Sequence, residues 1–258
     1  MRSSGSKSFA IENKTKEKKN MKSASVLQTA KVNLRRVPGV ITALFCISVI
    51  IMNLLANKTI YQSGIIAADG GILISWLTFL CMDIVTKAMG QRVAVTLSVF
   101  ALLTNLFVCV IFYVVSIIPT ETDYSAFNTI FTSTWFILLS SSVAFITSAF
   151  VNIALNAAVG RGFRKNPDGK LAFVTRSYIS TVVGQFVDNF VFAGLTFMVF
   201  APVYWGGFSW TLPQCITCSI IGALLELVME VIFSPIGYLV LKQWQRDGVC
   251  SSGKEMTA

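Results

Sequence analysis

The sequence contains no histidine and few charged residues, and these absences restrict what the chain does chemically. Without histidine the commonest general base is missing, which disfavours Ser-His and Cys-His nucleophilic catalysis. The sequence also has no G-x-x-x-x-G-K-[ST] loop, which excludes a Walker-type nucleotide site. Together these absences argue against an enzyme.

Apolar residues dominate the amino-acid composition. Hydrophobic residues make up 54% and charged residues 13% of the 258 positions, whereas a soluble domain carries about 25% charged residues. Windows of about 20 residues give six candidate spans. The predicted fold class is therefore all-α: a polytopic membrane protein with a bundle of six transmembrane helices. The spans are Pro38–Asn57, Gly70–Met89, Val93–Ile118, Trp135–Val159, Ile179–Phe200 and Cys215–Leu241.

Basic residues are distributed unequally between the loops. Of the 21 Lys and Arg, 20 lie in the terminal segments or in alternate loops, and Lys58 alone lies in the other loops. The positive-inside rule then predicts that both termini are cytoplasmic. Residues 1–36 form a basic arm that is expected to be disordered, residues 37–244 form the transmembrane domain, and residues 245–258 form a short tail. The lysine run of the arm has no aromatic interleaving, so nucleic-acid binding is not expected.

Cysteine spacing does not indicate a metal site. Cys215 and Cys218 have the two-residue gap of a metal or redox pair. However, the chain has neither a second pair nor a histidine to complete a tetrahedral zinc site. No metal and no cofactor are therefore predicted.

Four acidic residues lie within the apolar spans: Asp83, Asp188, Glu226 and Glu230. A carboxylate at bilayer depth costs roughly 2.5 to 3.5 kcal/mol. These side chains are therefore expected to face an interior cavity instead of lipid. Intramembrane ionisable groups usually mark the path or the binding site of a polar substrate or ion, which indicates a transporter.

The fifth span carries a polar stripe. Thr181, Gly184, Gln185 and Asp188 are three and four residues apart and fall on one helix face. Thr181 is a candidate substrate-binding residue, with helix packing as the alternative for it and for Gly184, because hydroxyl groups hydrogen-bond across bundles and glycine permits close approach. A carboxyl group beside an amide would cost free energy in the membrane if the two served only helix packing. Gln185 and Asp188 are therefore predicted to bind the substrate.

The fourth span repeats this face in a weaker form. Ser148, Asn152 and Asn156 are four residues apart, and the Phe-Val-Asn ending at Asn152 parallels the Phe-Val-Asp ending at Asp188. Transporter sites are often built from related helices that meet near the midplane. Asn152 is therefore predicted to face the same cavity as Asp188, with an asparagine ladder between packed helices as the alternative.

The second and last spans supply further candidates, each with a structural alternative. Asp83 and Lys87 are at i and i+4, so Asp83 either serves the site or forms an ion pair. Trp76 either stacks on a flat substrate ring or packs against a neighbouring helix. Glu226 and Glu230 lie one turn apart and either carry a coupling proton or form a structural pair.

Three segments together resemble a known family. They are the helix ending in Asp83 and Gly90, the stretch Ser180-Thr181-x-x-Gly184-Gln185-x-x-Asp188, and Ser234-Pro235-Ile236-Gly237-Tyr238 followed by Leu241-Lys242. This pattern resembles the queuosine precursor transporter family, also called the VUT or vitamin-uptake family. The resemblance implies a six-helix protein of the bacterial inner membrane that imports a 7-deazaguanine base, the precursor of a modified nucleoside in transfer RNA.

The chain departs from the usual family pattern at three positions. Trp76 replaces a proline, Lys87 replaces a glutamate, and Asn152 replaces an aspartate. The expected substrate is therefore this base or a related small polar heterocycle. Ion-coupled secondary transport by a proton or another cation is the favoured mechanism. The sequence leaves open a substrate-binding subunit of an ATP-driven uptake complex, a membrane protein without a transport role, and the formation of a homo-oligomer.

Overall fold

The structure is a computed structural model that describes residues 27–162 and 170–247. The described residues form eight α-helices, one π-helical segment and a two-stranded β-hairpin. The helices and strands are α1 Leu27–Arg36, α2 Gly39–Leu55, β1 Thr59–Ser63, β2 Ile66–Asp69, α3 Ile72–Met89, α4 Gln91–Ser116, α5 Ser125–Gly162, α6 Lys170–Ala193, the π-helical segment Gly194–Phe200, α7 Ala201–Tyr204 and α8 Leu212–Arg246.

Five helical stretches are long and apolar enough to cross a bilayer. They lie in α3, α4, α5, the continuous stretch from α6 to α7, and α8. The pair formed by α1 and α2, bent by 106°, passes the same test when it is counted as one span. Pro38 lies at this break, where a proline disfavours helical geometry in the residue before it. The chain is thus a multi-pass membrane protein with five or six spans.

Helix α1 occupies the end of the segment predicted to be disordered. Asn33 Nδ2 donates a hydrogen bond to Thr96 Oγ1 at 3.0 Å, and Leu34 packs against the buried cluster that contains Val93. Contact with α4 therefore orders this part of the arm. Residues 1–26 and 248–258, which were predicted as the rest of the arm and most of the tail, lie outside the described residues.

A β-hairpin between α2 and α3 departs from the predicted all-α fold. Its strands pair antiparallel around Gly64, whose φ of +54° is one that other residues rarely adopt. Gln214 Nε2 donates to the Gly64 carbonyl at 3.0 Å, and Thr217 Oγ1 donates to the Ile65 carbonyl at 2.6 Å. The tip of the hairpin is therefore tied to the first turns of α8.

The membrane helices pack around a central space. Helix α8 lies between α3 and α6, α5 lies between α6 and α4, and α2 contacts α3, α4 and α5. Small residues permit the closest approaches. A Cβ atom on Gly222 would lie 2.8 Å from Asn189 Nδ2, and one on Gly237 would lie 3.2 Å from Ile84 Cγ1.

One end of the bundle is formed by the hairpin and the loop before α8. Ala67 and Ala68 of β2 belong to the same buried cluster as Phe197 and Trp210, whose rings stack with centroids 3.8 Å apart. At this end α8 begins with a capping box between Thr211 and Gln214. We call this the hairpin end.

The opposite end contains the turn between α3 and α4 and the last turns of α8. Val37, Met89, Val93 and Trp244 belong to one buried cluster. Gly90, with a φ of +89°, is the single residue that separates α3 from α4. We call this the Trp244 end, and the first and last described helices both reach it.

Candidate ligand-binding cavity

A cavity of about 520 Å³ lies between α2, α3, α4, α5, α6 and α8. It follows α3 from Gly71 to Thr86, which is roughly 20 Å at a rise of 1.5 Å per residue. A space of this size accommodates a small organic molecule. Its polar lining residues are Asn53, Asp69, Ser75, Thr78, Asp83, Thr86, Gln91, Ser98, Ser141, Ser148, Asn152, Gln185, Asp188, Asn189 and Glu230.

The polar stripe of α6 faces this cavity. Asp188 Oδ1 accepts a hydrogen bond from Ser148 Oγ of α5 at 2.9 Å, which fixes the carboxylate. Gln185 is 2% exposed, and neither its Nε2 nor its Oε1 has a hydrogen-bond partner among the described residues. Because buried polar groups are nearly always paired, the unpaired Gln185 amide is an exception among the residues that line the cavity.

Helices α5 and α6 approach closely beside the stripe. A Cβ atom on Gly184 would lie 3.8 Å from the Cβ of Asn152, which is ordinary van der Waals contact. Asn152 itself lines the cavity. The structure therefore brings Asn152, Gln185 and Asp188 to one wall.

A second acid is buried beside this wall. Glu226 of α8 is 1% exposed, and Asn189 Nδ2 lies 3.5 Å from each of its carboxylate oxygens. Asn189 lines the cavity, and the absence of a side chain at Gly222 leaves room for its amide. Asn189 thus connects Glu226 with the cavity.

The remaining acids of the spans lie nearer the Trp244 end. Glu230 and Asp83 both line the cavity. Lys87 Nζ donates to Asp83 Oδ2 at 2.5 Å, with side-chain exposures of 59% and 34%, so the ion pair that the sequence allowed is formed. Exposed pairs of this kind contribute about 0 to 1 kcal/mol.

Asp69 lies at the hairpin end, just before the α3 span. It is 4% exposed, its Oδ1 accepts a hydrogen bond from the Gly71 N–H at 2.7 Å, and Cys218 Sγ lies 3.7 Å from its Oδ2. Burial raises the pKa of the Asp69 carboxyl above its ordinary value, to about 6.

The family described as "Putative vitamin uptake transporter" matches residues 69–240. The chain belongs to this family. The resemblance to the vitamin-uptake family that the sequence predicts is therefore confirmed. Membership in the vitamin uptake transporter family and the apolar helices fit a membrane transporter. No curated protein and no solved structure gives a significant match to the chain.

The segment matched by the vitamin uptake transporter family contains every site residue predicted from the sequence. Asp83, Asn152, Gln185, Asp188 and Glu230 line the cavity. Their roles in binding or coupling stay predictions. The side chains of Thr181 and Asn156 lie outside the described part of the structure.

Trp76 is placed differently from the other candidates. It is not among the residues that line the cavity. Its ring stacks on Phe233 of α8 with centroids 4.6 Å apart and planes inclined by 14°, and its Nε1 donates to the Leu73 carbonyl at 3.0 Å. In this structure Trp76 therefore makes a helix-to-helix contact, which was the packing alternative.

Several polar cavity residues, such as Asn189, were not predicted from the sequence, and one of them, Asn53, lies before the segment matched by the vitamin uptake transporter family. Asn53 of α2 is 1% exposed and lines the cavity. Its only signal in the sequence is that it is a lone amide within the apolar run Val49–Leu55. Asn57, four residues later, is a polar neighbour at helical spacing, but it lies beyond the end of α2.

Proposed function

We propose that the protein imports a queuosine precursor, a 7-deazaguanine-type base, or a related small polar heterocycle by ion-coupled secondary transport across the bacterial inner membrane. The observation that carries this proposal is the Gln185 amide. It lines the cavity without a partner among the described residues, three positions before the Asp188 carboxylate. The proposal assigns the protein no catalytic residue.

The chemistry of the α6 stripe supports a guanine-like ligand. Such a base presents N1–H and a 2-amino group as neighbouring donors, and a carboxylate accepts hydrogen bonds from both. Asp188 supplies that carboxylate, and the Gln185 amide supplies a donor for the exocyclic oxygen. Asn152 and Gly184 lie beside them, and all four residues line the cavity.

The acids of α8 support coupling to protons. Glu230 lines the cavity, and Glu226 lies behind Asn189 without a basic partner among the described residues. A buried carboxyl group without a cation favours its protonated form. We propose that these two acids exchange the coupling proton while the ligand occupies the cavity.

The test is uptake by the purified protein in liposomes. With an inward proton gradient, radiolabelled 7-cyano-7-deazaguanine should accumulate, and a protonophore should abolish the accumulation. The Gln185→Ala variant should accumulate much less, whereas an exposed-loop variant, Glu121→Gln, should match the unaltered protein.

Other outcomes would change the assignment. Binding without uptake would favour a substrate-binding subunit of an ATP-driven complex over a self-sufficient transporter. If the protein neither binds nor accumulates the base, the proposed substrate class is wrong.

A further inference from the structure

A second unpartnered amide lies in the cavity wall, on α2. Neither Nδ2 nor Oδ1 of Asn53 has a hydrogen-bond partner in the part of the chain that the structure describes. Asn53 and Gln185 are 1% and 2% exposed and both line the cavity. Two buried amides with all their polar atoms unpaired are costly unless something in the cavity binds them.

The position of Asn53 is fixed by close packing around it. A Cβ atom on Gly71 would lie 2.9 Å from the Met52 carbonyl oxygen, and one on Gly70 would lie 2.7 Å from the Leu55 carbonyl oxygen. Helix α2 therefore touches the start of α3 with no room between the backbones. This packing fixes the backbone that carries the Asn53 side chain. A residue that recognises a ligand requires such a fixed backbone.

The charges of the cavity restrict the ligand further. Asp69, Asp83, Asp188 and Glu230 line it, and none of the described lining residues is lysine or arginine. Lys87 is 59% exposed and pairs with Asp83. An anionic ligand would therefore be repelled by these carboxylates, because none of the described lining residues supplies a compensating cation. A neutral or cationic ligand would not be repelled.

We propose that Asn53 is a specificity-determining residue which, with Gln185, binds the polar edge of an uncharged or positively charged heterocycle, and that the acidic lining excludes the corresponding anion. An amide both donates and accepts, so two of them match an edge with neighbouring donors and acceptors. This inference rests on the proposed function, because it concerns the same cavity. It adds a recognition residue on α2 and a charge rule for the substrate.

The charge rule can be tested with three ligands that differ at one position. Binding of 7-cyano-, 7-aminomethyl- and 7-carboxy-7-deazaguanine to the purified full-length protein in lipid nanodiscs provides a neutral, a cationic and an anionic member of one series. The neutral and the cationic compounds should bind. The carboxylated compound should bind at least tenfold more weakly, and equal binding of all three would overturn the charge rule.

The role of Asn53 can be tested with Asn53→Leu, which keeps the side-chain volume and removes both polar atoms. If the amide serves a ligand, the ligand-free variant should unfold at the same or a higher temperature, while its affinity for the bound compounds falls at least tenfold. A variant that fails to fold, or one with unchanged affinity, would overturn the proposal. The matched control is Asn105→Leu, because Asn105 is a 2% exposed amide on α4 that does not line the cavity.

Different results would refute the proposed function and the role of Asn53. If the unaltered protein binds none of the three compounds, the proposed function is wrong and the inference about Asn53 falls with it. If it binds them and Asn53→Leu binds them equally well, the proposed function stands and the role of Asn53 is refuted.

Discussion

The hairpin end and the Trp244 end of the cavity differ in how far solvent reaches their walls. At the hairpin end, Asn53, Asp69 and Ser75 are at most 4% exposed. Towards the Trp244 end, Gln91 and Asn152 are exposed and the side chain of Asp83 is 34% exposed. The cavity is therefore closed at one end and open towards the other.

The closed end is sealed by packing. The hairpin strand β2 is buried against Phe197 and Trp210, and the neighbouring cluster of Ala56, Phe136 and Ile137 contacts Trp205. The open end instead carries exposed charged and amide side chains. The orientation predicted from the basic residues would place the Trp244 end, and with it the open end of the cavity, on the cytoplasmic side.

The largest expected effect concerns which end faces the cytoplasm. A reporter that works only in the cytoplasm should be active when it is fused after Lys170 and inactive when it is fused after Glu121 or Gly207. The reason is that 20 of the 21 basic residues lie in the segments assigned to the cytoplasmic side. The reverse pattern of activity would exchange the two ends.

A second prediction separates the acids of α8 from the ligand site. In liposomes with a pH gradient, Glu230→Gln or Glu226→Gln should still bind the deazaguanine base but lose accumulation, because neither variant side chain can carry a proton. Binding and uptake are measured on the same preparation, with Glu121→Gln as control. Unchanged accumulation in both variants would assign the pair a structural role.

Ligand recognition by the α6 stripe gives the third prediction. Asp188→Asn removes the charge and one acceptor, so it should weaken binding by about 1.5 to 3 kcal/mol, the contribution of a hydrogen bond to a charged group. Gln185→Ala should weaken it less, and Asn156→Ala should hardly change it. Ligand titration of the purified proteins checks this order, and full affinity in a folded Asp188→Asn protein would leave Asp83 and Glu230 as the candidates.

The packing at the closed end gives a fourth prediction. Gly70→Ala places a Cβ atom 2.7 Å from the Leu55 carbonyl oxygen, so it should lower the free energy of unfolding by about 1 to 3 kcal/mol. Gly39→Ala is the control, because no atom lies within 4 Å of its added Cβ. Thermal unfolding in detergent measures both, and equal stability of the two variants would mean that α2 and α3 separate easily.

The smallest effect concerns the pH dependence of the closed end. Because burial raises the pKa of Asp69 to about 6, the folded protein holds a proton there that the unfolded chain has lost. Stability should therefore fall as pH rises from about 4 to about 6. Asp69→Asn should reduce this slope in thermal unfolding curves while its amide oxygen still accepts from Gly71. An identical slope in both proteins would assign the pH dependence to other groups.

The sequence predicts the membrane helices well because bilayer thickness imposes long apolar windows. The same windows conceal short elements. Residues 59–69 contain the Thr, Ile and Tyr that favour strands and a Ser-Gly turn, but an average over about 20 residues merges them with the neighbouring helices. Helix α1 was missed for a different reason, since its order depends on the contact between Asn33 and Thr96 of α4.

For the candidate site, helical spacing indicates which residues share a face but not what each face meets. Spacing groups Gln185 with Asp188, and both line the cavity. It does not predict that Phe233 stacks on Trp76, because that contact depends on how α8 packs against α3. Asn53 has a polar neighbour at helical spacing only in Asn57, which follows the end of α2. That both polar atoms of the Asn53 side chain are buried without a hydrogen-bond partner is visible only in the structure.

The attachment of the hairpin to α8 gives the closed end a mechanical link to the buried acids. Gln214 and Thr217 hold the hairpin tip, and Glu226 lies further along the same helix. Pro235, which lacks an amide hydrogen, removes one backbone hydrogen bond from α8 beyond these residues. Because the hairpin tip and Glu226 are both attached to the part of α8 before Pro235, any displacement of that part would move the hairpin and the carboxyl group together.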